Sequence, residues 1–445
     1  RFCPFAGPVF PTPKTLSTNE AFQSSLTKLT TSIKDAISSG SSAHGPLNAN
    51  DTYSIQIFSA SDQGPLLDFH HRGVGVVNDR PIDGDSIYRI ASTTKILTAY
   101  LLLLQAGDTI FNDPVTKYLP ELTGHGHWND ITVGALAGYA AGIVSDGNSS
   151  LHLRSCMFPD AFPPLDEDEI SPCAYGKSGC TRAIFLEHIK KRPSVFLPNT
   201  TPAYSNAGFA TLGLVLESVT KMPYAEALRS LLADPLQLRA TTVVPPSNSS
   251  HGVFVGDEGI SGWNSIIDGA GTGMGAAFSS VNDLSAIGRA ILSSSLLNTN
   301  TTRAWLKPTT HTSSLIGAIG RPWEIFRATL GPAENNRVVD LYTKGGNYLG
   351  HGANFVLIPD FDIGFVVVMA GRAGTVPFGI SGIIVDHLLP AIEEAARLDA
   401  DETYAGTYRA TNGVNSSLTL ATKRDVPGLV IESWISNGTD MLRVV

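Results

Sequence analysis

Tyr88-Arg89-Ile90-Ala91-Ser92-Thr93-Thr94-Lys95-Ile96-Leu97-Thr98-Ala99-Tyr100-Leu101-Leu102-Leu103-Leu104 is the stretch that decides the fold. Ile96, Leu97, Tyr100, Leu101 and Leu104 recur at helical spacing, and Gly107 stops the run. The pattern predicts a buried helix with Ser92 in its first turn. Residues three apart share a helix face, so Lys95 falls beside the Ser92 hydroxyl. A hydroxyl is a poor nucleophile until something takes its proton. Burial disfavours the charged form of a lysine, which would let Lys95 take that proton. A helix N-terminus also offers unpaired N–H groups that can hold the oxyanion of a tetrahedral intermediate. The same spacing at Ser25-Leu26-Thr27-Lys28 lies in a polar stretch with no sign of a site, so the spacing alone decides nothing.

Two further stretches supply what Ser92 lacks. In Pro202-Ala203-Tyr204-Ser205-Asn206 a proline-rich loop runs into a tyrosine, an asparagine and a helix of about Thr211 to Val219. A phenol near ammonium groups can act as general base and then acid, so Tyr204 is a candidate for both. Asn206 can bind a substrate carbonyl or orient Lys95. Late in the chain, Val338-Val339-Asp340-Leu341-Tyr342-Thr343 reads as a strand that ends in a glycine turn, Lys344-Gly345-Gly346-Asn347. Glycines let backbone approach a ligand closely. Lys344 can polarise Tyr204, and the Asn347 N–H can be the second oxyanion donor.

Together these residues resemble the serine β-lactamase and penicillin-recognising superfamily. That group holds class C β-lactamases, D-alanyl-D-alanine carboxypeptidases, D-aminopeptidases, related esterases and acyltransferases. Ile131-Thr132-Val133-Gly134-Ala135-Leu136, Asp234-Pro235-Leu236-Gln237-Leu238-Arg239-Ala240-Thr241, Ser279-Ser280-Val281-Asn282-Asp283-Leu284-Ser285 and Leu357-Ile358-Pro359-Asp360-Phe361-Asp362-Ile363-Gly364 follow family patterns in register. The likeness covers about Ile55 to Leu389, and is narrower for secreted fungal β-lactamase-like proteins with a small extra C-terminal domain. It implies Ser92 as nucleophile, Lys95 and Tyr204 sharing acid–base work, Asn206 and Lys344 in support, and no cofactor or metal. Two positions depart from the pattern. Relatives usually carry Thr or Ser after the third-motif lysine, where the hydroxyl helps to bind a substrate carboxylate; here Gly345 stands there. Gly138-Tyr139-Ala140-Ala141-Gly142 replaces a run that resembles "HTSG", which places Tyr139 near the pocket. The first departure shifts the expectation from an efficient β-lactamase to an esterase, lactonase or acyltransferase. A small-molecule ester, lactone or amide is the expected partner. A second class, a binding protein that kept the fold without catalysis, is disfavoured by the presence of Ser92, Lys95, Tyr204 and Asn206 together.

Composition fits a large folded enzyme. The 445 residues are 42% apolar and 16% charged, with a net charge of −9, which argues against nucleic acid or an anionic membrane as partner. No apolar run is long enough to span a membrane. Four cysteines, Cys3, Cys156, Cys173 and Cys180, allow three pairings. Cys173 and Cys180 read as a local disulfide, leaving Cys3 with Cys156. Seven glycosylation sequons, at Asn50, Asn148, Asn199, Asn248, Asn300, Asn415 and Asn437, point with the even cysteine count to secretion. The start, Arg1-Phe2-Cys3-Pro4, looks like a chain already cleaved.

The chain divides into an N-terminal extension and first helix (1–50), a catalytic domain (51–398) and a small β segment (399–445). Thr52 to Phe58 alternates like a strand, and a second strand surrounds Leu66 to Val77. A mainly helical insertion spans about 83–313. Late strands follow at Val338 to Thr343, Asn354 to Ile358 and Ile363 to Met369, and Ile380 to Arg397 reads as a closing helix. The expected architecture is α+β: an antiparallel sheet flanked by terminal helices, a helical domain, and the site between them. The long loop from Ser145 to Cys180, with Asp166-Glu167-Asp168-Glu169, reads equally as a cystine-pinned lid over the pocket or as a solvated insertion. The apolar end, Met441 to Val445, suggests that the sheet continues in a further segment. His125 and His127 sit in a polar loop without a carboxylate cluster, so no metal is read there. His351, shortly after Lys344, could reach the pocket, but a surface or packing histidine is the favoured reading.

Overall fold

The computed structural model describes residues 7–14, 16–77, 79–143, 145, 173, 179–246, 249–256, 261–265, 267, 269–331, 336–371, 377–424 and 426–444. Cys3, Cys156, Asn148, Asn248 and the Asp166–Glu169 run of the long loop lie outside them. The main elements are α1 (Glu20–Ser39), β1 (Thr52–Ser59), β2 (Pro65–His71), β3 (Tyr88–Arg89), α2 (Thr94–Ala106), α3 (Asn206–Thr220), β4 (Phe278–Ser279) and α4 (Val281–Leu292). They continue with β5 (Thr310–His311), β6 (Gly317–Ile319), β7 (Glu324–Leu330), β8 (Arg337–Tyr348), β9 (His351–Ile358), β10 (Ile363–Ala370) and α5 (Phe378–Tyr404). A final sheet holds β11 (Gly406–Arg409), β12 (Ser417–Lys423), β13 (Val426–Ser436) and β14 (Thr439–Asp440).

Early and late strands join in one antiparallel sheet of eight, in the order β2-β1-β10-β9-β8-β7-β6-β5. β10 reads Ile363-Gly364-Phe365-Val366-Val367-Val368-Met369-Ala370, with every residue buried, because both faces of the sheet are covered. One face packs on α1 and α5. Phe22, Leu26, Leu29 and Ile33 of α1 join Ile55, Ile57, Phe365, Val367, Ile384 and Leu388 in one core. Asn19 caps α1 by accepting from the Phe22 N–H at 2.9 Å, and Gly40 ends it in a left-handed conformation. The opposite face meets the helical domain through Phe58, Phe355, Val366 and Val368, packed with α2, α3 and α4. Close approach of α4 to the sheet depends on Gly288 and Gly364, where a Cβ would run into the Phe58 ring.

Three boundaries differ from expectation. β2 ends at His71, because Gly73 lies against the backbone of Asn50 and Asp51, with no room for a Cβ. β8 does not end at Thr343: Lys344, Gly345 and Gly346 continue in register with Phe355, Asn354 and Ala353 of β9. The reversal comes later, at Leu349 and Gly350, with Leu349 at φ 47°. Helix α5 runs on to Tyr404, because its polar last turns have partners far away in the chain: Asp401 accepts from the backbone N–H and hydroxyl of Thr422 on β12.

Candidate active site

Ser92 lies in a single 3₁₀ turn, Ala91–Thr93, that feeds directly into α2. Ala91 takes a left-handed φ of 45°, a sparsely populated conformation for a residue with a side chain. The turn is over-determined around that residue. The Thr94 hydroxyl donates to the Ala91 carbonyl at 2.6 Å and accepts from the Ala277 N–H at 3.0 Å, while the Ile90 N–H donates to the Ala277 carbonyl. Such strain and pinning fix the direction of the Ser92 side chain.

The three distant stretches meet at that hydroxyl. Lys95 Nζ lies 3.0 Å from Ser92 Oγ, and the Tyr204 hydroxyl donates to the same Oγ at 2.7 Å. Lys95 also donates to Asn206 Oδ1 at 2.7 Å and to the Met274 carbonyl at 2.6 Å. Its side chain is fully buried. Asn206 Oδ1 additionally accepts from the Tyr204 hydroxyl at 3.2 Å, so the asparagine holds both candidate proton carriers in place. It can do so because Ser205 caps α3, accepting from the Gly208 N–H at 2.9 Å, and places Asn206 at the first helical position.

Tyr204 is 39% exposed, so this corner is open to solvent. Its ring rests against Tyr139, with centroids 5.2 Å apart. Tyr139 is buried, adopts φ 60°, and accepts from the Ala203 N–H at 2.7 Å through its carbonyl. Burial first, then the neighbouring Tyr204 and Glu324, pushes the Tyr139 phenol well above its ordinary range, so it stays neutral. Tyr139 thus supports Tyr204 from behind.

Strand β8 brings the third stretch. A Cβ on Gly346 would strike the Ile90 carbonyl and lie 3.0 Å from the N–H nitrogens of Ser92 and Thr93, so only glycine lets the strand run past the turn. Lys344 is 2% exposed, and its Nζ sits 5.3 Å from the centre of the Tyr204 ring. Lys95 Nζ stands 5.0 Å from that centre. Two lysine nitrogens therefore lie close to one phenol. Asn347 is exposed on the same strand.

Sequence reasoning missed three neighbours. Glu324, the first residue of β7, pairs with Lys344 at 2.7 Å and accepts from the Gly345 N–H at 3.2 Å. The pairing follows from the register of Thr343 with Glu324, which spacing alone does not encode. A signal was available: a buried lysine needs a counter-charge. Burial lowers the Lys344 pKa, and the Glu324 charge and hydrogen bond oppose that shift. The second neighbour is Phe378, whose ring fills the space where a Gly345 side chain would stand, 3.0 Å from a built Cβ. The third is the Met274 carbonyl, brought to Lys95 by the Gly-rich run 269–273. Gly273 packs on Gly213 of α3 so closely that a Cβ on it would lie 2.9 Å from the Gly213 Cα.

Of the readings of His351, the structure fits the packing one. His351 is fully buried against Trp263 and lines no open cleft. Burial, helped by the charge of Arg89, pulls its pKa down to about 3, so the ring is neutral at ordinary pH. Its two ring nitrogens lack hydrogen-bond partners among the described residues. The reason lies in β9, where His351 is the first strand residue and pairs with Ala370, inside the sheet. The Cys173–Cys180 disulfide is present. Among the described residues, no group of acidic, histidine or cysteine side chains could hold a metal, and no helix is long and apolar enough to cross a membrane.

A family model described as Beta-lactamase matches residues 67–381. The chain belongs to the beta-lactamase family. A second model, described as "Beta-lactamase-like-like, C-terminal domain", matches residues 396–445. The Beta-lactamase-like protein of Arthroderma benhamiae is 30% identical, over 98% of this chain and 74% of its own length. A probable hydrolase of Phoma sp. is also 30% identical, over 88% of this chain and 67% of its own. Among solved structures, a D-stereospecific amidohydrolase from Streptomyces sp. is 22% identical, covers 81% of this chain and 98% of its own, and gives a TM-score of 0.58. A class C beta lactamase from Rhodobacter sphaeroides is 16% identical over 82% and 99%, with a TM-score of 0.60. These structural likenesses bear out the α+β beta-lactamase fold expected from the three motifs.

Proposed function

We propose that this beta-lactamase-family protein is a serine hydrolase that acts on an ester, lactone or amide through an acyl-enzyme on Ser92. The observation that carries the reading is the double contact on one oxygen: Ser92 Oγ meets Lys95 Nζ at 3.0 Å and the Tyr204 hydroxyl at 2.7 Å. In this scheme Ser92 Oγ attacks the substrate carbonyl and its proton passes to Lys95 as the neutral amine or to Tyr204 as the phenolate. The oxyanion is held by backbone N–H groups of Ser92 and Asn347. The bond to the leaving group breaks, and the leaving group takes up the proton. Water then attacks the acyl-enzyme by the same route and frees Ser92. The Tyr204 phenolate that this step needs would be favoured by positive charge on the lysines beside its ring.

We place the protein outside the cell. The Cys173–Cys180 disulfide supports that placement, since such bonds persist in oxidising compartments. So do the exposed positions of Asn50, Asn199, Asn300, Asn415 and Asn437.

The test is turnover of a panel of p-nitrophenyl esters, lactones, β-lactams and D-amino-acid amides, with and without an added alcohol or amine. Turnover by the native protein that vanishes in Ser92→Ala is the expected result. Product trapped on the added acceptor instead of water would make it an acyltransferase. Equal rates in the native and Ser92→Ala proteins would overturn the assignment.

A further inference from the structure

The Lys344 side of the site carries its own counter-charge. Glu324 Oε1 sits 2.7 Å from Lys344 Nζ, and Oε2 accepts from the Gly345 N–H at 3.2 Å. Lys344 donates further to the Gly345 carbonyl at 2.7 Å. The ammonium and the adjacent backbone donor, the two groups best suited to receive an incoming carboxylate, are thus already engaged by a carboxylate of the chain itself. The Glu324 side chain is 29% exposed, whereas Lys344 is 2% exposed, so an approaching ligand meets the acid before the base. Gly345 offers no hydroxyl, and the half-exposed Phe378 ring covers that position. A second carboxylate here would face a like charge across a partly desolvated gap and would find an aromatic ring in place of a donor.

We propose that Glu324 sets the substrate class of the Ser92 site: it turns away substrates with a carboxylate close to the scissile carbonyl and admits uncharged or cationic ones. This rests on the Ser92 acyl-enzyme reading. Phe378 adds an apolar contact for the admitted group. Glu324 acts on specificity through charge and touches no reacting atom.

Matched phenyl butyrates with a meta carboxylate, carboxamide or ammoniomethyl group on the leaving phenol test the proposal, alongside a second series with the same three groups at the end of the acyl chain. The native protein is expected to prefer the carboxamide over the carboxylate by about tenfold to a hundredfold in kcat/KM, carried mainly by KM. In Glu324→Gln, which keeps the shape and an acceptor for Lys344, the preference should fall to about threefold or less. Glu324→Asp should retain most of it. The native preference is itself a measurement that needs no variant: carboxylate and carboxamide esters turned over equally would overturn the proposal even if Glu324→Gln failed to fold. An unchanged preference in a folded Glu324→Gln would overturn it too. Either result with turnover that still requires Ser92 sinks the Glu324 proposal alone, whereas turnover that survives Ser92→Ala sinks the acyl-enzyme reading beneath it.

Discussion

Two buried lysines approach the Tyr204 ring, and their surroundings differ. Lys95 reaches Ser92, Asn206 and the Met274 carbonyl, all neutral oxygens. Lys344 reaches the Glu324 carboxylate. The same side chain, equally buried, is thereby fitted to different work. A lysine among neutral acceptors, in contact with a hydroxyl, is placed to exchange a proton with it. A lysine matched to a carboxylate contributes a fixed, balanced dipole. The comparison teaches that burial alone does not assign a role to a lysine; its acceptors do.

The sharpest way to break that contrast is to remove each partner of Ser92. Lys95→Ala and Tyr204→Phe should each slow acylation by about 10²- to 10⁴-fold, measured as the pre-steady-state release of p-nitrophenol. Lys344→Met should slow it much less, and equal losses at both lysines would erase the distinction. Next in size is the pair itself. Glu324→Ala leaves a buried ammonium without its counter-charge and should cost about 3 kcal/mol in denaturant unfolding. Lys344→Met with Glu324→Ala in one chain should recover much of that loss, and no recovery would mean that the two groups are not coupled.

Adjacent glycines sharpen the picture of how β8 meets the Ser92 turn. Gly346→Ala drives a methyl group into the Ile90 carbonyl and toward the Ser92 and Thr93 nitrogens, all backbone, and should lower kcat/KM by about 100-fold. Gly345→Ala meets only the far edge of the Phe378 ring, which can yield, and should change kcat/KM by about threefold or less. Similar effects at both positions would contradict the close strand-to-turn approach.

A separate effect, on stability and not on turnover, concerns His351. Its native pKa of about 3 lies below the ordinary 6.5, so the unfolded chain binds a proton that the native one refuses. Stability should therefore be full above about pH 6.5 and fall by about 1.4 kcal/mol per pH unit on the way down toward pH 3. Thermal unfolding of His351→Phe across that window should show a shallower fall. An identical slope would remove the histidine from the account.

What the sequence disclosed follows from the range of each interaction. Ser92 and Lys95 were legible because residues three apart share a helix face, a relation fixed locally, and the alternating and apolar runs of β1 and β10 pointed to the sheet. Glu324 was hidden because only the register of β7 against β8 brings it to Lys344. Gly345 and Gly346 read as a turn because glycine pairs usually mark turns; here Gly346 serves the close passage of a strand. His351 was a pocket candidate only by proximity in sequence to Lys344, and the hairpin between β8 and β9 turns its ring into the packing around Trp263. Met274 offered no side-chain signal, since its carbonyl does the binding.

The most direct test of the central claim is peptide mapping by mass spectrometry after a brief pulse of an activated ester or a fluorophosphonate. The account predicts one adduct per chain, on Ser92, formed much more slowly in Lys95→Ala and Tyr204→Phe. An adduct on another residue, or labelling of Ser92 at the same rate in all three proteins, would contradict it.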